Sequence, residues 1–183
     1  MRFDAILIGA GQANPPLARA LVARGQKIAL VEEHLLGGSC VNYGCTPSKT
    51  LIGSAHALHA ARRGAEFGFH ADNIRVDFDR VMQRQRDAVL TSRGGMEKRY
   101  GHMEGLTLIR AHAEFEAPHV IRAGDQVLEA ERIYLDVGAR PNSPDIPGLS
   151  AIPYLTHITL LDLTELPRHL IIVGGGYVGI EYA

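Results

Sequence analysis

An apolar run, Phe3 to Ile8, ends on Gly9-Ala10-Gly11 and gives way to a helical stretch, Ala13 to Arg24, that Gly25 closes. A second apolar run, Lys27 to Val31, follows and ends on Glu32. Few folds accept that order. A short, wholly apolar run reads as a strand buried on both faces. Strand, helix and strand within about 30 residues open a doubly wound α/β sheet. In the turn, Gly9 makes the tight bend and Gly11 lets the backbone approach a pyrophosphate, whose charge the helix N-terminus meets. Glu32, about 20 residues on, is placed to accept hydrogen bonds from ribose hydroxyls. The sixth position of the turn is Asn14, where close helix–strand packing prefers glycine or alanine, so this residue is expected to weaken cofactor binding or shift the helix. Pro15 and Pro16 cost less, because the first four N–H groups of a helix have no intrahelical partner.

The motif recurs. His169 to Val173 reads as another strand and runs into Gly174-Gly175-Gly176-Tyr177-Val178-Gly179, which keeps all three glycines. Two such turns predict two nucleotides on one polypeptide. Between them, a helix is expected from the cysteine region to about Arg63 and another over Asp77 to Tyr100. Alternating runs at Thr107–Ala111, Val120–Arg122, Val127–Glu129 and Arg132–Val137, with a turn at Ala123-Gly124-Asp125, predict a small antiparallel ribbon. Pro141, Pro144 and Pro147 mark a crossing between domains, and a helical turn is expected near Leu160. The expected domains are 1–148 and 149–183. The chain stops at Ala183, early in the helix that the second glycine turn opens, from which we expect a piece of a longer protein.

Cys40 and Cys45 are the only cysteines, in Gly37-Gly38-Ser39-Cys40-Val41-Asn42-Tyr43-Gly44-Cys45-Thr46-Pro47-Ser48-Lys49. Cross-linking so short a loop stabilises by roughly 2–3 kcal/mol at best, which is little for a structural disulfide. The spacing is open to a redox dithiol, to two buried thiols, or to half of a metal site. Hydrophobic residues make up 46% and charged residues 21%, ordinary for a globular protein. A net charge of −1 gives no reason to expect nucleic acid or an anionic membrane. There is no run of about 18 apolar residues, and the N-terminus enters a strand pattern at once, so a cytoplasmic, reducing compartment is expected, where a cysteine pair is seldom structural. His56 and His59, three apart on a helix, read as an exposed face rather than a metal site. Arg80 through Arg86 reads as a solvated helix face.

Taken together, the Gly37–Lys49 segment, both glycine turns and Gly138-Ala139-Arg140-Pro141 resemble the flavoprotein pyridine nucleotide–disulfide oxidoreductases, mercuric-reductase-like members above all. The resemblance runs from Phe3 to Ala183. It implies a Rossmann-like FAD-binding domain over 1–148 and the start of an NAD(P)H-binding domain, truncated, over 149–183. It implies that Cys40 is the interchange thiol and that Cys45 lies against the flavin and donates charge to it as a thiolate. Lys49 matches the lysine near flavin N5, and Glu181 the acidic residue that pairs with it. Tyr177 matches an aromatic side chain over the nicotinamide pocket. Gly9, Gly11, Gln12, Ala13, Asn14, Glu32, Ser39, Ala113 and Gly138 fall on the FAD side, and Gly174, Gly176 and Gly179 on the NAD(P)H side. The family's Ala-Thr-Gly is here Asp136-Val137-Gly138, so a flavin-side threonine is missing.

The function implied is electron transfer from NAD(P)H through FAD to a Cys40–Cys45 disulfide, then to a disulfide, a metal ion or another acceptor. A homodimer is implied for the full-length protein. The competing readings are a soft-metal or thiol-binding module without electron transfer, and a piece inactive through truncation.

Overall fold

All four residues of Ala5–Ile8 (β1) and all four of Ile28–Val31 (β2) are buried, as strands covered on both faces must be. The computed structural model describes residues 1–183. It divides into two compact units, Met1–Asn42 with Thr91–Arg140, and Tyr43–Leu90 with Pro141–Ala183.

In the first unit, β1 leads through Asn14–Val22 (α1) to β2, and the short helix Gly38–Asn42 (α2) follows. The remaining strands are Leu106–Ile109 (β3), Ala113–Ala117 (β4), Val120–Ala123 (β5), Gln126–Glu129 (β6) and Arg132–Leu135 (β7). A parallel sheet runs in the order β3-β2-β1-β7, and β4-β5-β6 form a separate antiparallel sheet. Successive side chains of a strand point to opposite faces, and each face of β1 and β2 has its own core. Ala5, Leu7, Ile28 and Leu30 pack with Ala18, Leu21 and Leu36 on one side. Ile6, Ile8, Ala29 and Val31 pack with Ile121, Ala123 and Leu128 of the ribbon on the other. Each fully buried Leu or Ile contributes about 1.5–3 kcal/mol relative to an exposed one.

The mixed α/β architecture with its small ribbon is the one read from the sequence, but the ribbon is smaller than expected. The 107–111 and 132–137 runs do not join it. They supply β3 and β7, each hydrogen-bonded in parallel register, Ile28 opposite Leu106 and Ala5 opposite Arg132. A short half-apolar run fits either kind of sheet, and the exposed edges of β2 and β1 decided the matter. The ribbon gains instead β4, Ala-Glu-Phe-Glu-Ala, whose Phe115 is exposed.

The second unit holds Cys45–Arg62 (α3), most of the residues that lead to and enter Phe78–Gly101 (α4), and Tyr177–Tyr182 (α5), with 3-10 turns at Gly64–Phe67, Leu149–Ala151 and Thr159–Asp162. The helix expected from the cysteine region to about Arg63 is α3, and the short α2 precedes it across Tyr43-Gly44. The strand expected at 169–173 does not form. A strand exists only through a partner's hydrogen bonds, no strand of this chain pairs with that run, and Ile171 and Val173 stand exposed.

Candidate functional site

The parallel sheet changes direction beside β1: β2 and β3 lie to one side and β7 to the other. In open α/β sheets the crevice at the C-terminal ends of the strands flanking such a switch is where ligands bind. Gly9 and Gly11 follow β1 there, Glu32 follows β2, and Asp136 follows β7. Gly9 has φ +88°, and a Cβ would stand 2.1 Å from the carbonyl oxygen of Asp136, so no other residue fits. The glutamate's two oxygens accept from the N–H groups of Ala10 and His34, at 2.7 Å each, which holds the carboxylate at the mouth of the turn.

Asn14 turns out to be a fastener. The residue is 2% exposed, and Nδ2 donates to the carbonyls of Ile8 (3.1 Å) and Gly9 (2.9 Å). Where the motif's glycine would let helix and strand touch, this chain joins them by an amide. Pro15 and Pro16 occupy the second and third positions of α1, where no ladder bond is lost.

The cysteine segment is tied to this turn. Gly37 N–H donates to the Ala10 carbonyl at 2.8 Å, and Gln12 Nε2 donates to the Gly37 carbonyl at 3.1 Å. Gly38 has φ +56° and approaches Gly11 so closely that a Cβ would lie 2.9 Å from its Cα. Asn42 Nδ2 closes the loop by donating to the carbonyls of Leu36 (3.0 Å) and Gly38 (2.9 Å). The sequence reading passed over Asn42, whose one signal was an amide residue inside the cysteine segment. Ser39 is exposed and Cys40 half-buried in α2, while Cys45 is exposed as the first residue of α3. Neither cysteine is free: both are disulfide-bonded, and as the chain's only two they bond each other.

Within the second unit, Lys49 Nζ and Ser48 Oγ both donate to Oε1 of Glu181, joining α3 to α5. Those two donors, the lysine first, hold the Glu181 carboxyl below the usual carboxylate range. Gly176 caps α5, Tyr177 at its start is 85% exposed, and Gly179 packs against the Gly174 carbonyl. In the first unit, Ala113 opens β4 against the ribbon-side core, and Gly138 is exposed with φ +69°. Beside Ala113, Glu33 meets His112 Nδ1 at 2.6 Å and His34 Nε2 at 3.3 Å, and the His112 contact above all holds its carboxyl below the ordinary range. His56 and His59 lie exposed on α3, and no group of three or more His, Cys, Asp or Glu is arranged to hold a metal ion.

The chain as a whole is similar to known proteins. Residues 3–183 match the family described as pyridine nucleotide-disulphide oxidoreductase. The chain belongs to that family. It is 33% identical over 179 residues to a mercuric reductase of Bacillus cereus, covering 98% of this chain and 28% of that protein. It is 34% identical over 189 residues to a probable pyridine nucleotide-disulfide oxidoreductase, RclA, of Escherichia coli K12, covering 100% of this chain and 39% of that one. A dihydrolipoyl dehydrogenase of Geobacillus stearothermophilus is 32% identical over 97% of this chain. The solved structure of the HOCl-induced flavoprotein disulfide reductase RclA superposes with a TM-score of 0.82 at 33% identity, over 98% of this chain and 38% of that one. As a member of the pyridine nucleotide–disulphide oxidoreductases, the chain thus spans between a quarter and two fifths of the length of these relatives.

The turn fits the diphosphate of a dinucleotide by a direct sign: it already holds an anion. Asp136 Oδ2 accepts from the N–H groups of Ala13 and Asn14, at 3.1 Å each, at the N-terminus of α1. Sequence reasoning marked Asp136 only as a departure from the family's threonine motif. An acidic residue closing a strand beside the glycine turn was the available signal.

Proposed function

We propose that the protein is an FAD-dependent oxidoreductase that carries electrons from NAD(P)H to the Cys40–Cys45 disulfide and on to a small disulfide or a metal ion. The observation that carries this reading is the fastening of the cysteine loop to the first glycine turn, by Gly37 on Ala10, Gln12 on Gly37, and Gly38 on Gly11. A cofactor whose diphosphate sat in that turn would thereby be kept beside the segment that carries Cys40. When bound, FAD supplies the two-electron relay between a nicotinamide and a disulfide.

In this reading residues 1–148 form the FAD-binding portion and 149–183 the opening of the NAD(P)H-binding portion. Gly9, Gly11, Gln12, Ala13 and Asn14 would surround the diphosphate, Glu32 would accept from ribose hydroxyls, and Ser39, Ala113 and Gly138 would line the FAD side. Gly174, Gly176 and Gly179 form the NAD(P)H turn, with Tyr177 as its aromatic cover. Two electrons break the S–S bond, leaving Cys45 as thiolate and Cys40 as thiol once one proton is taken up. The position of Cys45 at the N-terminus of an 18-residue helix favours its anion. Cys40, deprotonated, attacks a sulfur of the acceptor disulfide and displaces one thiolate. Cys45 then attacks the mixed disulfide, releases the second thiol and restores the Cys40–Cys45 bond. Lys49, one helical turn past Cys45, is held in place by Glu181.

The name of the mercuric reductase relatives supports a metal ion as an acceptor, and the proposal extends to a homodimer in the cytoplasm, where a dithiol stays catalytic. No helix is long and apolar enough to cross a membrane. The test is spectroscopic. Full-length protein should bind FAD and turn yellow, and NAD(P)H should expose two thiols and produce the long-wavelength band of a thiolate beside oxidised flavin. Colourless protein in the presence of FAD, or cysteines that NAD(P)H leaves oxidised, refutes it.

A further inference from the structure

The donors that a diphosphate would use are engaged by the chain itself. Asp136 N–H donates to the Ile8 carbonyl at 2.8 Å, which continues the pairing of β7 with β1 and delivers the residue to the end of the glycine turn. From there its carboxylate reaches the N–H groups of Ala13 and Asn14. Both its oxygens lie 2.8 Å from where a Cβ on Gly11 would stand, so the carboxylate fills the space over the second glycine. None of the chain's salt bridges includes Asp136. The α1 N-terminus is the carboxylate's sole hydrogen-bond partner, and the same N-terminus is what a diphosphate needs.

We propose that Asp136 is a built-in competitor of the dinucleotide: its carboxylate holds the turn closed and must leave the α1 N-terminus for a diphosphate to bind. This rests on the reading of the turn as the FAD site. In the empty turn the carboxylate is favourable, since it satisfies two helix-end donors and the positive end of α1. Against an arriving diphosphate it is unfavourable twice over, as a rival for the N–H groups and as a like charge a few ångströms away. At a dielectric between those of water and protein interior, that repulsion lowers affinity by about tenfold. The consequence is a turn that stays ordered without cofactor and exchanges it readily.

The experiment uses flavin-free full-length protein, titrated by calorimetry with FAD, with ADP and with adenosine. Asp136→Asn keeps the shape and one acceptor for α1 but removes the charge, and Asp136→Ser keeps a helix-capping hydroxyl without charge. Both variants should bind FAD and ADP about tenfold more tightly than the parent, with adenosine, which carries no phosphate, unchanged. Circular dichroism and melting of each variant establish that it is folded. Equal affinities for FAD in parent and variants, a loss of affinity on removing the charge, or the same gain for adenosine as for ADP each overturn the inference while the FAD reading stands. No FAD binding by parent and variants alike overturns the FAD reading itself, and the inference with it.

Discussion

Replacing Asn14 isolates the fastener that stands in for the motif's glycine. Asn14→Ala removes two hydrogen bonds, but the two carbonyls are left in different states. Ile8 still accepts from Asp136 N–H at 2.8 Å, whereas the amide of Asn14 is the only donor the structure provides for the Gly9 carbonyl. An abandoned half-buried acceptor costs about 1–2 kcal/mol and the shared bond about 0.5–1 kcal/mol. A loss of about 2–3 kcal/mol follows, reduced slightly because alanine is the better helix former. With a urea slope of about 1–3 kcal/mol per molar for a small protein, the unfolding midpoint should fall by about 1 M. Asn14→Asp preserves size while reversing the chemistry: a carboxylate would face two carbonyl oxygens and lie next to Asp136. It should be less stable than Asn14→Ala. Equilibrium urea unfolding followed by circular dichroism measures both. A midpoint for Asn14→Ala equal to the parent's, or an Asn14→Asp variant as stable as the alanine, refutes the account of Asn14 as a fastener.

Gly38→Ala puts a Cβ 2.9 Å from the Gly11 Cα in a left-handed backbone conformation; we expect a loss of about 1–3 kcal/mol and weakened FAD retention, read by calorimetry, since the cysteine loop can no longer close on the turn. Cys45→Ser should leave one titratable thiol without any reductant and abolish NAD(P)H-dependent acceptor reduction, whereas the parent shows no thiols until reduced. Glu181 is more acidic folded than unfolded because Lys49 and Ser48 donate to its charged form. Its contact therefore stabilises above the unfolded carboxyl's value of 4.5 and fades as pH falls below it. Glu181→Gln should lose that part of the acid dependence, and identical acid-unfolding profiles for the two proteins would remove the contact's role.

Some of this was readable from the chain alone because it is local. The burial of β1 and β2 follows from their unbroken apolar runs, and the bend at Gly9 from the order strand, glycine, helix. His56 and His59 read as an exposed helix face, and they lie exposed on α3. The pairing of β3 and β7 with the central strands was not readable, because a run such as Leu-Thr-Leu-Ile carries no mark of which edge will hydrogen-bond to it. For the same reason 169–173 is apolar and yet no strand.

The amino acids by themselves determined a strand–turn–helix that presents N–H groups to an anion and a dithiol within reach of a helix end. Only the tertiary structure decided which anion occupies that turn. It set β7 in parallel beside β1, so that an aspartate 122 residues away from Asn14 arrives at the same helix end. Local geometry dictates what a segment offers; contacts between distant segments, settled by sheet order and packing, dictate what fills it.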